Sequence, residues 1–239
     1  MATVKIVSYK PNPRVIKSQV VAKLTGVNLD LAGWPMGEGK KYLWDITGGT
    51  ALAEDKVTDV YQKTDAFKKA NPFGEVPVVF NEAGTDAIFE SNTIARYVAR
   101  LGASTKNVYG ADAWQASQID SWLDKGHELE MAATPWLGSK FGYKNDEAVI
   151  QKSKDSVAKW FDAVDTYLTG KDFFVGGSLS LADICLTCSL GMVFGMCLSD
   201  EQKAKYTAVA AYVQKRMAES EFSDLVALQQ AMAARLAAK

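Results

Sequence analysis

Glu90 and Ser91 stand where a helix is predicted to begin, which makes them the first candidates for chemistry. The residues that follow, through Ile94, Val98 and Leu101, have helical spacing. The N–H groups of a first helical turn and the helix dipole favour an anion, and the Ser91 hydroxyl can bond a carboxylate. Capping the helix is the commoner role for a serine at such a position, so both roles stay open.

A second candidate is Val76-Pro77, which lies between a turn and a predicted strand at 76–80. Proline cannot donate to a sheet ladder, so this position needs a sheet edge or a special peptide geometry. An X–Pro bond has only a small preference for trans, so a cis bond is feasible here. A cis turn would present the Val76 N–H and C=O to an extended peptide, whereas a trans proline would simply start the strand.

Cysteine and histidine are not arranged for catalysis or metal binding in this sequence. Cys185 and Cys188 lie inside an apolar helical run and are predicted to be buried structural thiols. His127 is the only histidine and no second cysteine pair exists, so no metal site is expected. The turn after the first strand, residues 8–14, contains no cysteine, which argues against a thioredoxin-like redox enzyme.

The first part of the chain has the pattern of alternating strands and helices. A strand is predicted over 3–8, a helix over 14–26 with Gly26 as its C-cap, and a second strand over 27–31. The glycine-rich stretch 32–56 predicts a long loop, and a short helix near 58–70 follows it. Strands at 76–80 and 86–89 form a hairpin, and a helix from residue 90 to 101 completes this part.

From residue 112 onward the strand signals disappear. Helices are predicted over 112–139, 145–169, 181–197, 201–219 and 222–238. Ser180 with Asp183, and Ser199 with Gln202, have the spacing of capping boxes. A mixed α/β part followed by an all-helical part marks a domain boundary, so we expect domains over 1–102 and 111–239.

Charge and composition limit the classes of partner. The 239 residues include 27 Lys and Arg and 28 Asp and Glu, a net charge of −1, so no broad basic surface is expected to bind nucleic acid. No apolar run approaches the length of about 18 residues that a membrane span needs, and the first ten residues do not resemble a signal peptide. Three cysteines do not make a disulfide framework, so a cytoplasmic location is expected.

The order of these motifs resembles the glutathione transferase superfamily over nearly the whole chain. The resemblance rests on Asn71-Pro-x-Gly-x-Val-Pro77, on Glu90-Ser91-Asn92-x-Ile94 and on Ser180-x-x-Asp183. It implies an α/β plus all-α fold, in which a thioredoxin-like N-terminal domain with a mixed sheet precedes a helical C-terminal domain.

The same resemblance implies that the first domain binds glutathione. In the family, the residue before a cis proline bonds the cysteinyl backbone of glutathione. Val76 matches this residue, and Pro77 matches the proline. A Glu-Ser pair, here Glu90 and Ser91, binds the γ-glutamyl carboxylate. Arg14 is a nearby cation and a further candidate contact.

Within the superfamily, the sequence is similar to the first domain of the gamma subunits of the eukaryotic elongation factor 1 complex. The similarity lies in residues 89–98 and in the stretch from Asp165-x-Tyr167-Leu168 to Leu181-Ala182-Asp183-Ile184. It implies a scaffold for the nucleotide-exchange subunits of that complex, and a homodimer. The chain would end where the first domain of such a subunit ends, and residues 32–56 are longer than expected for either relative.

An active glutathione transferase is the alternative function. Many transferases stabilise the glutathione thiolate with a hydroxyl at the end of the first strand, and Ser8 or Tyr9 would supply it here. Because the register of the strand is open by a residue or two, the sequence does not decide between the two hydroxyls. Glutathione, as substrate or as ligand, is the expected small molecule under both functions.

Overall fold

The computed structural model describes residues 2–10, 12–35 and 65–238, apart from the side chains of a few residues within them. Its sheet contains strands β1 (Thr3–Lys10), β2 (Asn28–Pro35), β3 (Val78–Phe80) and β4 (Ala87–Ile88), in the order β2-β1-β3-β4. Strand β1 is parallel to β2 and antiparallel to β3, which in turn is antiparallel to β4. This is the mixed sheet that the sequence predicted.

Strand β1 is buried on both of its faces. Val4, Ile6 and Ser8 lie on one face, because side chains alternate along a strand, and all three are buried. Val7 lies on the other face, in a cluster with Phe67 and Val78. The sheet therefore forms the middle layer of this part of the chain.

Two helices of this part, α1 (Pro13–Thr25) and α3 (Ser91–Leu101), pack against each other. Gly26 ends α1 in the left-handed conformation, with φ 76°, which confirms it as the C-cap. Gly102 follows α3 so close to α1 that a Cβ on it would lie 2.3 Å from the Cβ of Thr25. Only glycine allows this approach.

The stretch 32–56 was predicted to be a loop, and this is wrong at its beginning. Strand β2 continues through residues 32–35, because they keep the parallel register with the end of β1. The rest of the stretch lies outside the described residues. So does most of the helix predicted at 58–70, whose end is the short helix α2 (Asp65–Ala70).

The later part of the chain is helical in the described residues. Its helices are α4 (Ala113–Lys140), α5 (Glu147–Leu168), α6 (Leu181–Met196), α7 (Asp200–Lys205), α8 (Thr207–Met217), a short 3₁₀ turn (Ser220–Phe222) and α9 (Ser223–Ala237). The single helix predicted over 201–219 is wrong. Tyr206 leaves the helical conformation, with φ −99° and ψ 69°, and its buried ring packs at 5.2 Å from the ring of Phe161.

Helix α6 forms the centre of this helical part. Every residue from Leu181 to Val193 is buried. Ser180 and Asp183 form the predicted capping box at its start, and Ser199 and Gln202 form the second one at α7. The burial of α6 on all sides explains why its sequence is apolar around the whole helix.

The chain divides into two compact units, Met1–Asn107 and Val108–Lys239. The first unit contains the sheet with α1 to α3, and the second contains α4 to α9. Among the described residues, no helix combines the length and the apolar character needed to cross a membrane.

Candidate functional site

Most of the predicted site residues lie at one end of the sheet, where β1 ends and β3 begins. Strands β1 and β3 pair through Ile6–Val79 and Val7–Val78, so the continued antiparallel register places Ser8 opposite Pro77. Strands β3 and β4 pair through Val79–Ile88, so the end of β4, which leads through Phe89 and Glu90 into α3, lies beside the start of β3. The end of β1, the start of β3 and the start of α3 therefore lie side by side.

The N-terminus of α3 is suited to an anion. The first intrahelical bond runs from the Ile94 N–H to the Glu90 carbonyl at 2.9 Å, so the earlier N–H groups have no acceptor within the helix. The first turn contains no acidic side chain. Ser91 is 8% exposed, and within the described part of the chain its hydroxyl has no hydrogen-bond partner. These donors and the helix dipole favour a carboxylate.

Glu90 has an unusual backbone conformation. Its φ is 68° and its ψ is 121°, and it is the one non-glycine residue with positive φ in the described parts of the chain. Its exposed side chain does not cap α3. Residues held in such conformations cost about 1–3 kcal/mol and cluster at binding sites, which adds to the case for a site here.

Val76 and Pro77 are joined by a cis peptide bond, the geometry that the sequence left open. No other described residue bonds the Val76 N–H. The turn before it is held by Asn71, which is fully buried and donates from Nδ2 to the Glu75 carbonyl at 2.7 Å. The Val76 amide is therefore a second available donor at the same end of the sheet.

Ser8 is buried and already bonded. Its Oγ accepts a hydrogen bond of 2.9 Å from Nδ2 of Asn12, while Oδ1 of Asn12 accepts from the Arg14 N–H and caps α1. Ser8 shares its face of the sheet with Ile6, beneath the start of α1. The side chain of Tyr9 lies outside the described residues, and Arg14 is exposed on the first turn of α1.

The sequence did not predict one buried pair beside the site. Lys17 of α1 is 2% exposed, and its Nζ donates to Oδ1 of Asn92, the second residue of α3, at 2.8 Å. The apolar spacing that identified α1 did not include Lys17, since a lysine is normally assigned to the solvent face. Only the packing of α1 on α3 reveals it.

Two family models match the sequence: the N-terminal domain of glutathione S-transferases over residues 50–101 and the C-terminal domain over residues 127–221. The chain belongs to the glutathione transferase superfamily. Solved members have the same fold. Glutathione transferase F2 from Populus trichocarpa matches with a TM-score of 0.72 and 18% identity, over 95% of this chain and 99% of that one. A glutathione S-transferase from Methylobacillus flagellatus with GSH bound matches with a TM-score of 0.69 and 20% identity, over 93% and 98%.

A different group of superfamily members is similar in sequence. Probable elongation factor 1-gamma 1 of Arabidopsis thaliana is 30% identical over 207 residues, which cover 86% of this chain and 44% of the relative. The matched part spans less than half of the length of the first such relatives. The predicted similarity to elongation factor 1-gamma is confirmed.

The cysteines belong to the helical unit, in and just after α6. Cys185, Cys188 and Cys197 are all buried and none of them forms a disulfide; burial was predicted for the first two. Burial raises the pKa of the Cys197 thiol to about 12. Within the described ranges, no group of three or more His, Cys, Asp and Glu side chains is placed to hold a metal ion.

Proposed function

We propose that this chain is the glutathione transferase-like module of an elongation factor 1-gamma type subunit. On this proposal it holds the nucleotide-exchange subunits of the complex in the cytoplasm, and it binds glutathione. The observation that carries the proposal is the 30% identity to elongation factor 1-gamma along 86% of the chain. The buried Ser91 hydroxyl, at the N-terminus of α3, supports the binding of glutathione.

The binding mode follows from the positions of the donors. The Val76 backbone would pair with the cysteinyl part of glutathione, and Glu90 and Ser91 with the γ-glutamyl group. Val76 precedes β3 by two residues and Ser91 follows β4 by three, at the end of the sheet where these two strands are paired, so one short extended peptide would reach both. Arg14, on the exposed first turn of α1, would add positive charge near the anionic ligand.

Glutathione binding is tested by calorimetric titration of the wild type and of two matched variants. Ser91→Ala removes the buried hydroxyl, and Thr93→Ala removes an exposed hydroxyl two residues later. The loss of one hydrogen bond to a charged group weakens binding by about tenfold or more, so Ser91→Ala should show this loss. Thr93→Ala should bind as the wild type does. Equal affinities of all three proteins would contradict the assigned site.

The scaffold role is tested by co-expression with the exchange subunits of an elongation factor 1 complex. We expect a complex that survives gel filtration in moderate salt. The same subunits with a catalytic glutathione transferase in place of this chain provide the negative control. Separate elution of the chain and the exchange subunits would refute the scaffold role and leave glutathione binding as a separate question.

The alternative function, conjugation of glutathione to electrophiles, is tested by a standard conjugation assay. The Ser8 oxygen accepts from Asn12, which helps to fix the start of α1, and the Ser8 O–H can still donate to a thiolate. On the proposed scaffold role we expect a rate close to the uncatalysed background. A clear rate that falls in Ser8→Ala or in Tyr9→Phe would instead favour the transferase.

A homodimer is part of the same proposal. The chain has a mass of 26.0 kDa, so sedimentation equilibrium should give twice that value at micromolar concentration. A mass of one chain at all concentrations would refute the dimer.

A further inference from the structure

Lys17 is the most deeply buried charged side chain beside the proposed glutathione site. It is 2% exposed within α1, among Val15, Ile16 and Ser18, which are buried as well. Burying an ammonium group is costly unless it is hydrogen-bonded, and Lys17 meets this need in part through Oδ1 of Asn92 at 2.8 Å. A methionine would fill such a position without the free-energy cost of burying a charge, so a functional role would explain why a lysine is found here.

The place where Lys17 makes this bond suggests the reason. Asn92 follows Ser91 directly and belongs to the first turn of α3, whose N–H groups point to the proposed anion. Lys17 therefore joins α1 to the very turn that would receive the carboxylate. Its positive charge also lies within a few ångströms of that turn and adds to the positive end of the helix dipole.

We infer that Lys17 is a positioning residue for the γ-glutamyl carboxylate of glutathione. It holds Asn92, and through Asn92 it orients Ser91 and the first-turn amides of α3, while its charge makes the turn more attractive to an anion. This inference rests on the proposed binding of glutathione at that turn. It adds a residue from α1 that has no direct contact with the ligand.

The first test compares Lys17→Met with a control variant in the same helix. Lys17→Met keeps the length of the side chain but removes the donor and the charge, and we expect about tenfold weaker binding of glutathione. Val21→Ala, at a fully buried position of α1, should lower the midpoint of unfolding but leave the dissociation constant unchanged. Unchanged glutathione affinity in Lys17→Met overturns the inference.

The second test separates positioning from general packing. Lys17→Gln keeps an N–H donor for Asn92 without the charge, so its affinity should lie between those of the wild type and Lys17→Met. In the double variant Lys17→Met with Ser91→Ala, the loss should be smaller than the product of the two single losses, since both act on one carboxylate. Fully multiplicative losses would place Lys17 outside the carboxylate site and overturn the inference.

The third test uses a glutathione analogue in which the γ-glutamyl α-carboxylate is an amide. Lys17→Met and the wild type should bind this neutral analogue with equal affinity, whereas a merely structural effect would weaken both ligands alike. Absence of glutathione binding by the wild type would refute the proposed function and the inference together. If the wild type binds glutathione and Lys17→Met binds it equally well, the inference is refuted but the proposed function is not.

Discussion

At the scale of single residues, the candidate site combines backbone groups with one residue, Glu90, whose backbone conformation is rare for any residue but glycine. Glu90 has φ 68° and ψ 121°, a combination that glycine adopts far more readily than glutamate. The chain keeps glutamate there although its side chain does not cap the helix. On the proposed binding of glutathione, a contact of the Glu90 carboxylate with the ligand would account for this strain.

A comparison of Glu90→Gly with Glu90→Ala measures this strain. Glycine relieves the conformation and alanine does not, so we expect Glu90→Gly to be more stable than Glu90→Ala by about 1–2 kcal/mol in urea unfolding. At an unstrained position the order is reversed, because glycine gives the unfolded chain more freedom. Both variants should bind glutathione more weakly than the wild type. A more stable alanine variant would show that Glu90 is not strained.

At the scale of helices, two capping boxes of the same type differ in their surroundings. Asp183 is fully buried and accepts hydrogen bonds from the Phe174 N–H, the Ser180 N–H and hydroxyl, and the Tyr212 hydroxyl, at 2.7 to 2.8 Å. Ser199 and Gln202 form an exposed box at α7. Asp183 thus joins α6 to α8 and to the segment before α6, whereas Ser199 acts on its own helix.

This difference predicts that removing the two caps lowers the free energy of unfolding by unequal amounts. Asp183→Ala leaves several buried donors without an acceptor, so we expect a loss of about 3–5 kcal/mol in the free energy of unfolding. Ser199→Ala should cost about 1 kcal/mol, as an exposed N-cap does. Both values come from chemical denaturation followed by circular dichroism. Equal costs would mean that burial does not strengthen the Asp183 network.

The Tyr212 hydroxyl provides a pH-dependent test of the same network. Burial raises its pKa well above the ordinary value of 10.0, and the charge of Asp183 raises it further. The folded state therefore keeps this proton when the unfolded state loses it. The stability that depends on the protonated hydroxyl is fully present below about pH 10 and is lost as the pH rises beyond it.

Tyr212→Phe should be less stable than the wild type by about 1–3 kcal/mol at pH 7, because a hydrogen bond to a buried carboxylate is lost. Above pH 10 the wild type should lose this advantage by about 1.4 kcal/mol per pH unit, whereas phenylalanine cannot ionise. Urea unfolding of both proteins from pH 7 to 11 measures the difference. A constant difference over this range would contradict the raised pKa.

At the scale of the whole molecule, the thiols report on global unfolding. Cys185, Cys188 and Cys197 are at most 3% exposed, and the pKa of Cys197 near 12 leaves little reactive thiolate at pH 8. A coloured disulfide reagent should therefore react slowly with the native chain and with three equivalents after denaturation. Rapid reaction of one thiol in the native protein would show that the helical unit opens locally around α6.

The similarity to elongation factor 1-gamma was visible in the sequence because it is carried by local motifs. The Glu90-Ser91 pair and the Ser180–Asp183 capping box lie in the similar stretches and depend on a few neighbouring residues, so their spacing identifies them. The break at Tyr206 was missed because its cause is the non-local contact with Phe161. The continuation of β2 through Pro35 was missed because pairing with β1 overrides the glycine and proline in that strand.

The sequence by itself determined the types of the elements, their approximate limits and the candidate residues Val76, Pro77, Glu90 and Ser91. Local periodicity and capping decide these features. Only the tertiary structure decided that the end of β1, the start of β3 and the end of β4 lie together at one end of the sheet, that Ser8 is bonded to Asn12, and that Lys17 is buried against Asn92. These features follow from strand register and helix packing, which join residues far apart in the chain.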